Sequence, residues 1–179
     1  PEKVINWQIA KRLASVLENK GANVLLINTQ VSSGKVDLYN RMNQAYNFGP
    51  QLLISVHNNS DKTASAKGHE VYYFYPWSSL LSSKTNSALG DAIGNADRGS
   101  KFGRYFVTRS SRFAAVLVEC AFMSNEYEYY NYLLDTGTQQ SIANELADAI
   151  VRYFQALRAS GSYSTGSESV GSVAVTAPT

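Results

Sequence analysis

The chain has 179 residues, a length that suits one domain with a full hydrophobic core. Hydrophobic residues make up 44% and charged residues 17%, a balance that excludes a disordered or collagen-like chain. The 16 Lys and Arg nearly balance the 14 Asp and Glu, so a net charge of +2 gives no indication of a nucleic-acid partner. No apolar run approaches the roughly 20 residues that cross a bilayer, and one Cys with two His excludes a disulfide scaffold and a zinc finger.

The first third of the chain alternates between helical and strand patterns. Apolar residues at three- and four-residue steps predict an amphipathic helix over 3–20, and a second helix is predicted over 36–48. Short apolar runs at 24–27 and 52–56 predict strands that are buried on both faces. Because a strand, a helix and a strand with short connections are typical of a parallel pair, we expect these two strands to be parallel.

The remainder of the chain continues the pattern of an α/β fold. A loop is expected over 94–103, and the other predicted elements are strands at 69–75, 105–107 and 114–118 and helices at 79–93, 125–134 and 139–157. Residues 159–179 are rich in Ser, Gly, Thr and Val without apolar periodicity, which predicts a linker or tail. The sequence therefore predicts one domain over 1–158, with an open, mostly parallel or mixed twisted sheet and helices on both faces.

Two side chains of types common in active sites directly follow predicted strands. His57 comes directly after the strand at 52–56, and Glu119 comes directly after the strand at 114–118. Catalytic groups collect at the carboxyl ends of the strands in open α/β sheets, where His is a common metal ligand and Glu a common general base. Either residue alone is more often structural, so the matched placement of the pair is what favours an active site.

Several segments of the sequence resemble known motifs in order and spacing. Residues 53–60 (LISVHNNS) resemble the segment ISIHANA, and residues 116–125 (VLVECAFMSN) resemble VLVELGFLSN. Between them, residues 68–73 resemble GVETYY and residues 97–101 resemble NRGVK, while residues 2–24 match a Glu that opens a helix followed by Leu-Glu-x-x-Gly-x-x-Val. These motifs belong to the zinc-dependent N-acetylmuramoyl-L-alanine amidases (the amidase_3 family), and the resemblance covers about residues 1–157.

The resemblance implies a catalytic zinc site and a reaction. In this family two His and one Glu hold Zn²⁺ and a second Glu is the general base, which makes Glu2 and His57 the matching ligands and Glu119 the matching base. The metal lowers the pKa of its bound water and polarises the scissile carbonyl, while Glu119 takes the proton and later gives it to the leaving amine. The bond cut is the amide between the lactyl group of N-acetylmuramic acid and L-alanine in peptidoglycan.

Two further features are candidates for substrate contacts. Arg98, in the motif at 97–101, is a candidate for binding a substrate carboxylate, although a loop arginine is usually only solvated. The tyrosine-rich run at 127–132 fits the lining of a glycan groove and fits an amphipathic helix face equally well.

One element of the resemblance is absent before Glu2. The family's first strand, which carries a Gly-His ligand, is expected there, in the middle of the sheet next to the strand of His57. The only other histidine is His69, at a position that is not a ligand in the family. We therefore expect the N-terminal strand to be missing from the given chain, with activity conditional on a further His ligand. The alternatives are that another chain supplies the strand or that the protein has lost the site.

These features together predict a function. We expect a secreted, zinc-dependent cell-wall hydrolase of the autolysin kind, which acts on peptidoglycan as a monomer and has no nucleic-acid or membrane partner. The alternative is a non-catalytic peptidoglycan-binding or regulatory domain derived from such an amidase. The zinc content of the protein separates the two.

Overall fold

The structure, a computed structural model, describes residues 2–27, 30–31, 34–35, 38–161 and 170–177. The side chains of residues 2, 30, 31, 34 and 35 are outside that description. The helices are α1 (Glu2–Asn19), α2 (Leu38–Phe48), α3 (Ser79–Ile93), α4 (Glu126–Glu128) and α5 (Thr136–Ala159). The strands are β1 (Asn23–Leu26), β2 (Gln30–Val31), β3 (Gly34–Lys35), β4 (Leu52–Asn59), β5 (His69–Tyr73), β6 (Asp97–Phe102), β7 (Ala114–Phe122) and β8 (Ser172–Thr176). Within the described ranges, no helix is both long and apolar enough to cross a membrane.

Six strands form one mixed sheet in the order β1-β8-β4-β7-β5-β6. Strands β1, β8, β4 and β7 are parallel to one another, whereas β5 is antiparallel to β7 and parallel to β6. Helices α1, α3 and α5 bury their apolar stripes in a large core on one face, and α2 covers a smaller core on the other. The predicted α/β class, an open mixed sheet with helices on both faces, is confirmed.

Local sequence explains why the two central strands are so well defined. All nine residues of β7 are buried, and the first five residues of β4 are buried as well. Continuous apolar runs of this kind suit strands that are covered on both faces. The two strands pair in register from Leu52 and Ala114 to His57 and Glu119. The unbroken register of the two central strands therefore extends as far as the two residues that the sequence singled out.

Two local predictions in the second half of the chain are wrong. The segment 94–103, expected as a loop, contains the edge strand β6, which is mostly polar and partly exposed and shows no apolar run. The segment 105–107, expected as a strand, lies in a helical turn at Phe106–Thr108. The backbone N–H and the hydroxyl of Thr108 both bond to the carbonyl of Tyr105, and these bonds close the turn.

The end of the chain also differs from the prediction of a linker or tail over 159–179. Residues 172–176 form β8, which lies between β1 and β4 and pairs in parallel with both. Val173 and Val175 are fully buried in the large core, and Ala174 is fully buried in the smaller one. A Val-Ala-Val run of three residues is too short to predict a strand when serines, threonines and glycines surround it.

The position of β8 bears on the strand that the resemblance places before Glu2. That strand was expected in the middle of the sheet, next to the strand that carries His57. In the structure β8 occupies this place, with Ser172–Thr176 hydrogen-bonded along β4. The sheet therefore has no gap beside β4.

Candidate active site

The carboxyl edge of the two central strands brings His57 and Glu119 together. The two residues are register partners on β4 and β7, and neighbouring strands lie about 4.8 Å apart. Glu119 is only 8% exposed, and His57 is half-buried. His57 lines a cavity of about 200 Å³ whose other walls include Leu38 and Arg41 of α2. The pair therefore opens onto the face of the sheet that α2 covers.

The environment of His57 keeps its imidazole neutral. Burial, with the positive charge of Arg41 as a second cause, lowers the pKa of His57 to about 4. The Nε2 atom lies 3.1 Å from the Oγ of Ser55, two residues earlier on the same strand. A neutral imidazole is the form that binds metals, so His57 has the protonation state of a ligand near neutral pH.

Glu2 is placed at the same edge only through its backbone, because its side chain lies outside the described part of the structure. Helix α1 begins at Glu2. One turn later, the Oδ1 of Asn6 accepts a hydrogen bond of 2.6 Å from the Nδ2 of Asn58, the residue after His57. The start of α1 is thereby tied to the end of β4. The predicted role of Glu2 as a ligand stays a prediction.

His69, the other histidine of the chain, does not join the site. It is 1% exposed, and its ring faces α3 on the opposite side of the sheet, against Gly90. Its Nδ1 lies 2.6 Å from the Oδ1 of Asn95, and its Nε2 lies 3.5 Å from the Oδ1 of Asp97. These contacts explain His69 as a buried structural residue.

Glu70 is a site residue that the sequence reasoning missed. It is the register partner of Glu119 on the antiparallel strand β5, and it is 2% exposed. The two carboxylates therefore lie on neighbouring strands of one sheet face. Glu70 falls inside the motif at 68–73, and that motif is the sequence signal that marks it.

Four side chains hold the carboxylate of Glu70. Its Oε1 accepts hydrogen bonds from the Nδ2 of Asn59 at 2.7 Å and from the hydroxyl of Tyr72 at 2.9 Å. Its Oε2 accepts from the Nε of Arg98 at 3.1 Å and from the Nζ of Lys101 at 2.5 Å. The strand β6 thus supplies two cations to a carboxylate beside Glu119.

Arg98 is therefore more than a solvated loop residue. In addition to its bond to Glu70, its guanidinium lies 4.9 Å from the centroid of the Phe122 ring, and 39% of its side chain is exposed. The exposed part is accessible to a ligand at the edge of the sheet. Its predicted contact with a substrate carboxylate stays a prediction.

The network around Glu70 predicts a dependence of stability on pH. Burial acts to raise the pKa of Glu70, but hydrogen bonds from Lys101, Tyr72 and Arg98 outweigh it and hold the pKa below its usual value. A carboxyl with a depressed folded-state pKa stabilises the fold above its unfolded pKa of about 4.3, and this contribution is lost as pH falls through the folded pKa. We expect Glu70→Gln to lower the free energy of unfolding clearly at pH 7 and much less at pH 3.

Denaturant unfolding at the two pH values measures this effect. The matched control is Glu18→Gln, which removes an exposed carboxylate from α1 and should change the free energy of unfolding little at either pH. An equal loss for Glu70→Gln at both pH values would contradict the assignment.

The donors that are present fit a zinc site only in part. His57 is neutral and lies at the expected edge, and the helix of Glu2 begins there. Among the residues whose side chains are described, no three His, Cys, Asp or Glu gather in an arrangement that could hold a metal. Strand β8 ends beside β4 with Thr176 and carries no imidazole there. Because a catalytic zinc usually has three protein ligands, the described residues leave at least one ligand to be supplied.

Comparison with known proteins agrees with this geometry. The model of a family described as N-acetylmuramoyl-L-alanine amidase (Amidase_3) matches residues 1–152. The chain is 29% identical over 158 residues to the N-acetylmuramoyl-L-alanine amidase LytC of Bacillus subtilis (strain 168), which covers 86% of this chain and 31% of LytC. It is 31% identical over 165 residues to the sporulation-specific N-acetylmuramoyl-L-alanine amidase of the same organism, covering 90% of this chain and 63% of that protein.

A solved structure gives the same result for the fold. The catalytic domain of CwlV, an N-acetylmuramoyl-L-alanine amidase from Bacillus (Paenibacillus) polymyxa var. colistinus, matches with a TM-score of 0.77 at 28% identity. The match covers 86% of this chain and 85% of the CwlV chain. By contrast, the chain spans less than two thirds of the length of the two curated relatives.

Proposed function

The chain belongs to the N-acetylmuramoyl-L-alanine amidase family, and from this premise we propose that it hydrolyses the amide between N-acetylmuramic acid and L-alanine in peptidoglycan. The observation that carries the proposal is the register pairing of a neutral His57 with Glu119 at the carboxyl edge of the sheet. The proposal places the protein outside the membrane, where its substrate lies, and has it act as a monomer without a nucleic-acid partner.

Each residue at the edge has a separate task. Glu119 accepts the proton of the attacking water and passes it to the amine of L-alanine as that group leaves. Glu2 and His57 would hold Zn²⁺ together with one further ligand, and the bound ion would supply a water of lowered pKa and polarise the scissile carbonyl. Glu70 holds Arg98 and Lys101 at the rim of the site, where their exposed parts meet the substrate.

A second candidate function follows from the incomplete ligand set. With β8 beside β4 and no group of three metal-binding side chains among the described ones, the geometry also fits a domain that binds peptidoglycan without cutting it. Such a binding domain would use the same surface, but it would need neither zinc nor Glu119 as a general base.

Zinc binding and bond cleavage, measured together, separate the two functions. The full chain is incubated with Zn²⁺ and a muramyl peptide, and the new amino group of L-alanine is quantified. We expect one zinc per chain and release of the peptide, and we expect His57→Ala to lower zinc affinity by more than about tenfold, because a ligand is lost. Glu18→Gln, at an exposed position near the opposite end of α1 from Glu2, is the control and should match the wild type.

The outcomes are distinct. One outcome is a wild-type chain that binds no zinc and releases no peptide but still sediments with insoluble peptidoglycan. That result would contradict the hydrolase and support the binding domain. Cleavage that persists in His57→Ala with unchanged zinc content would contradict the assignment of His57.

A further inference from the structure

A second cavity lies next to the one at His57. Its volume is about 530 Å³, and its lining includes the rings of Tyr39, Tyr46, Phe74, Tyr75 and Phe106, beside Arg109. We call this cavity the aromatic cleft. It lies between α2 and the segment that follows β5. None of its lining residues has a role in the hydrolysis proposed above.

The aromatic cleft adjoins the candidate active site. Phe106 lines both cavities, and Tyr39 packs edge-on against it with ring centroids 5.0 Å apart. Leu38, the neighbour of Tyr39 in the first turn of α2, lines the cavity of His57. A long ligand with its reacting bond at His57 can therefore reach the aromatic cleft past Phe106.

Aromatic surface in and beyond the cleft is unusually exposed. Tyr39 is 70% exposed and Trp77 is 51% exposed. The rings of Tyr75 and Trp77 are stacked, with centroids 4.2 Å apart and planes 9° from parallel. Large aromatic side chains left in water next to a cavity mark a binding surface.

The chemistry of the cleft favours a carbohydrate. A pyranose ring has a C–H face that packs on the electron-rich face of an aromatic ring, and a rim of hydroxyl and acetamido groups that need hydrogen-bond partners. Tyrosine hydroxyls and the guanidinium of Arg109 supply such partners. A lipid or an amphipathic helix would need aliphatic surface, and Met42 is the one aliphatic side chain in the described lining.

The opposite rim of the site has different chemistry. Arg98 and Lys101, each with 39% of its side chain exposed, lie around Glu70 on the β5–β6 side of Glu119. The two neighbouring cations of this rim suit the carboxylates of a peptide. The two sides of the scissile bond are thus matched to two kinds of surface.

We propose that the aromatic cleft binds the glycan strand of peptidoglycan, so that the sugars extend from His57 along α2 and the stem peptide extends toward Arg98 and Lys101. This assignment rests on the proposed amidase function and adds the direction in which the substrate lies.

Direct binding measurements test where the glycan and the stem peptide bind. The full chain is titrated by calorimetry with peptide-free glycan strands of N-acetylglucosamine and N-acetylmuramic acid, and separately with free stem peptide. We expect Tyr39→Ala with Tyr75→Ala to weaken glycan binding by at least about tenfold, as loss of aromatic anchors does, without weakening stem-peptide binding. The control, Leu80→Ala with Leu134→Ala, removes large apolar side chains that are 42% and 44% exposed outside the cleft and should bind glycan as the wild type does.

Three results would overturn the proposal. They are a wild-type chain that does not bind peptide-free glycan, a cleft variant that binds it normally, and a cleft variant that loses stem peptide instead. Tyr39→Ala alone, at a highly exposed position, repeats the test if the double variant does not fold. Because these titrations involve no cleavage, glycan binding without hydrolysis would remove the amidase function and leave the glycan site in place.

Discussion

Replacing Glu119 by glutamine should lower kcat for release of L-alanyl peptide by about 10²–10⁴-fold, the range that a general base contributes. Glutamine keeps the size of the side chain and its hydrogen-bonding oxygen, but it cannot accept the proton of the attacking water. Glu119 is 8% exposed on a fully buried strand, so the neighbouring groups stay fixed while the basic function is lost. Initial rates with saturating muramyl peptide measure the effect.

The control for this variant isolates the chemistry from the fold. Zinc content and the free energy of unfolding should stay close to those of the wild type, because Glu119 is the base in the proposed mechanism and is not a ligand. Glu126→Gln, an exposed glutamate of α4, should retain full activity. Activity of Glu119→Gln within about threefold of the wild type, far above the expected loss, would mean that another group takes the proton.

The pair of His57 and Glu119 could be predicted because each residue directly follows an apolar run that marks a strand clearly. Continuous apolar runs predict strands buried on both faces, and the topology of an α/β sheet brings the ends of such strands to one edge. The register of the two strands then makes them direct neighbours. Here local pattern and general topology were sufficient.

Glu70 could not be predicted in the same way because its role depends on contacts between separate segments. Its partners come from β4, β5 and β6, and β6 itself is a polar edge strand that has no apolar period. A single glutamate in a strand pattern does not predict contacts with two cations that lie about thirty residues further along the chain. Only the paired strands bring this carboxylate next to Glu119.

Strand β8 was missed for a different reason, and its energetic importance can be tested. We expect Val175→Asp to lower the free energy of unfolding by more than about 4 kcal/mol, because it buries an unpaired charge in the large core. Since a domain of this size has about 5–15 kcal/mol of stability, this loss removes a large part of it. Val175→Ala, which only removes two methyl groups, should cost about 2 kcal/mol.

The matched control is Val4→Asp, the same substitution at a valine that is 53% exposed in the first turn of α1. An acidic residue is favoured there by the helix dipole, so the free energy of unfolding should change by less than about 0.5 kcal/mol. Denaturant titrations of the three variants and the wild type measure these differences.

The result also bears on the further ligand that the proposed zinc site needs. If Val175→Asp unfolds the protein, β8 is a permanent central strand, and a further ligand must reach His57 from somewhere other than the place between β1 and β4. If Val175→Asp is as stable as Val4→Asp, β8 contributes nothing to the fold in solution, and that place is open to a strand that carries an imidazole. The stability of the Val175 variants therefore tests whether the place between β1 and β4 is open to a further ligand of the proposed zinc site.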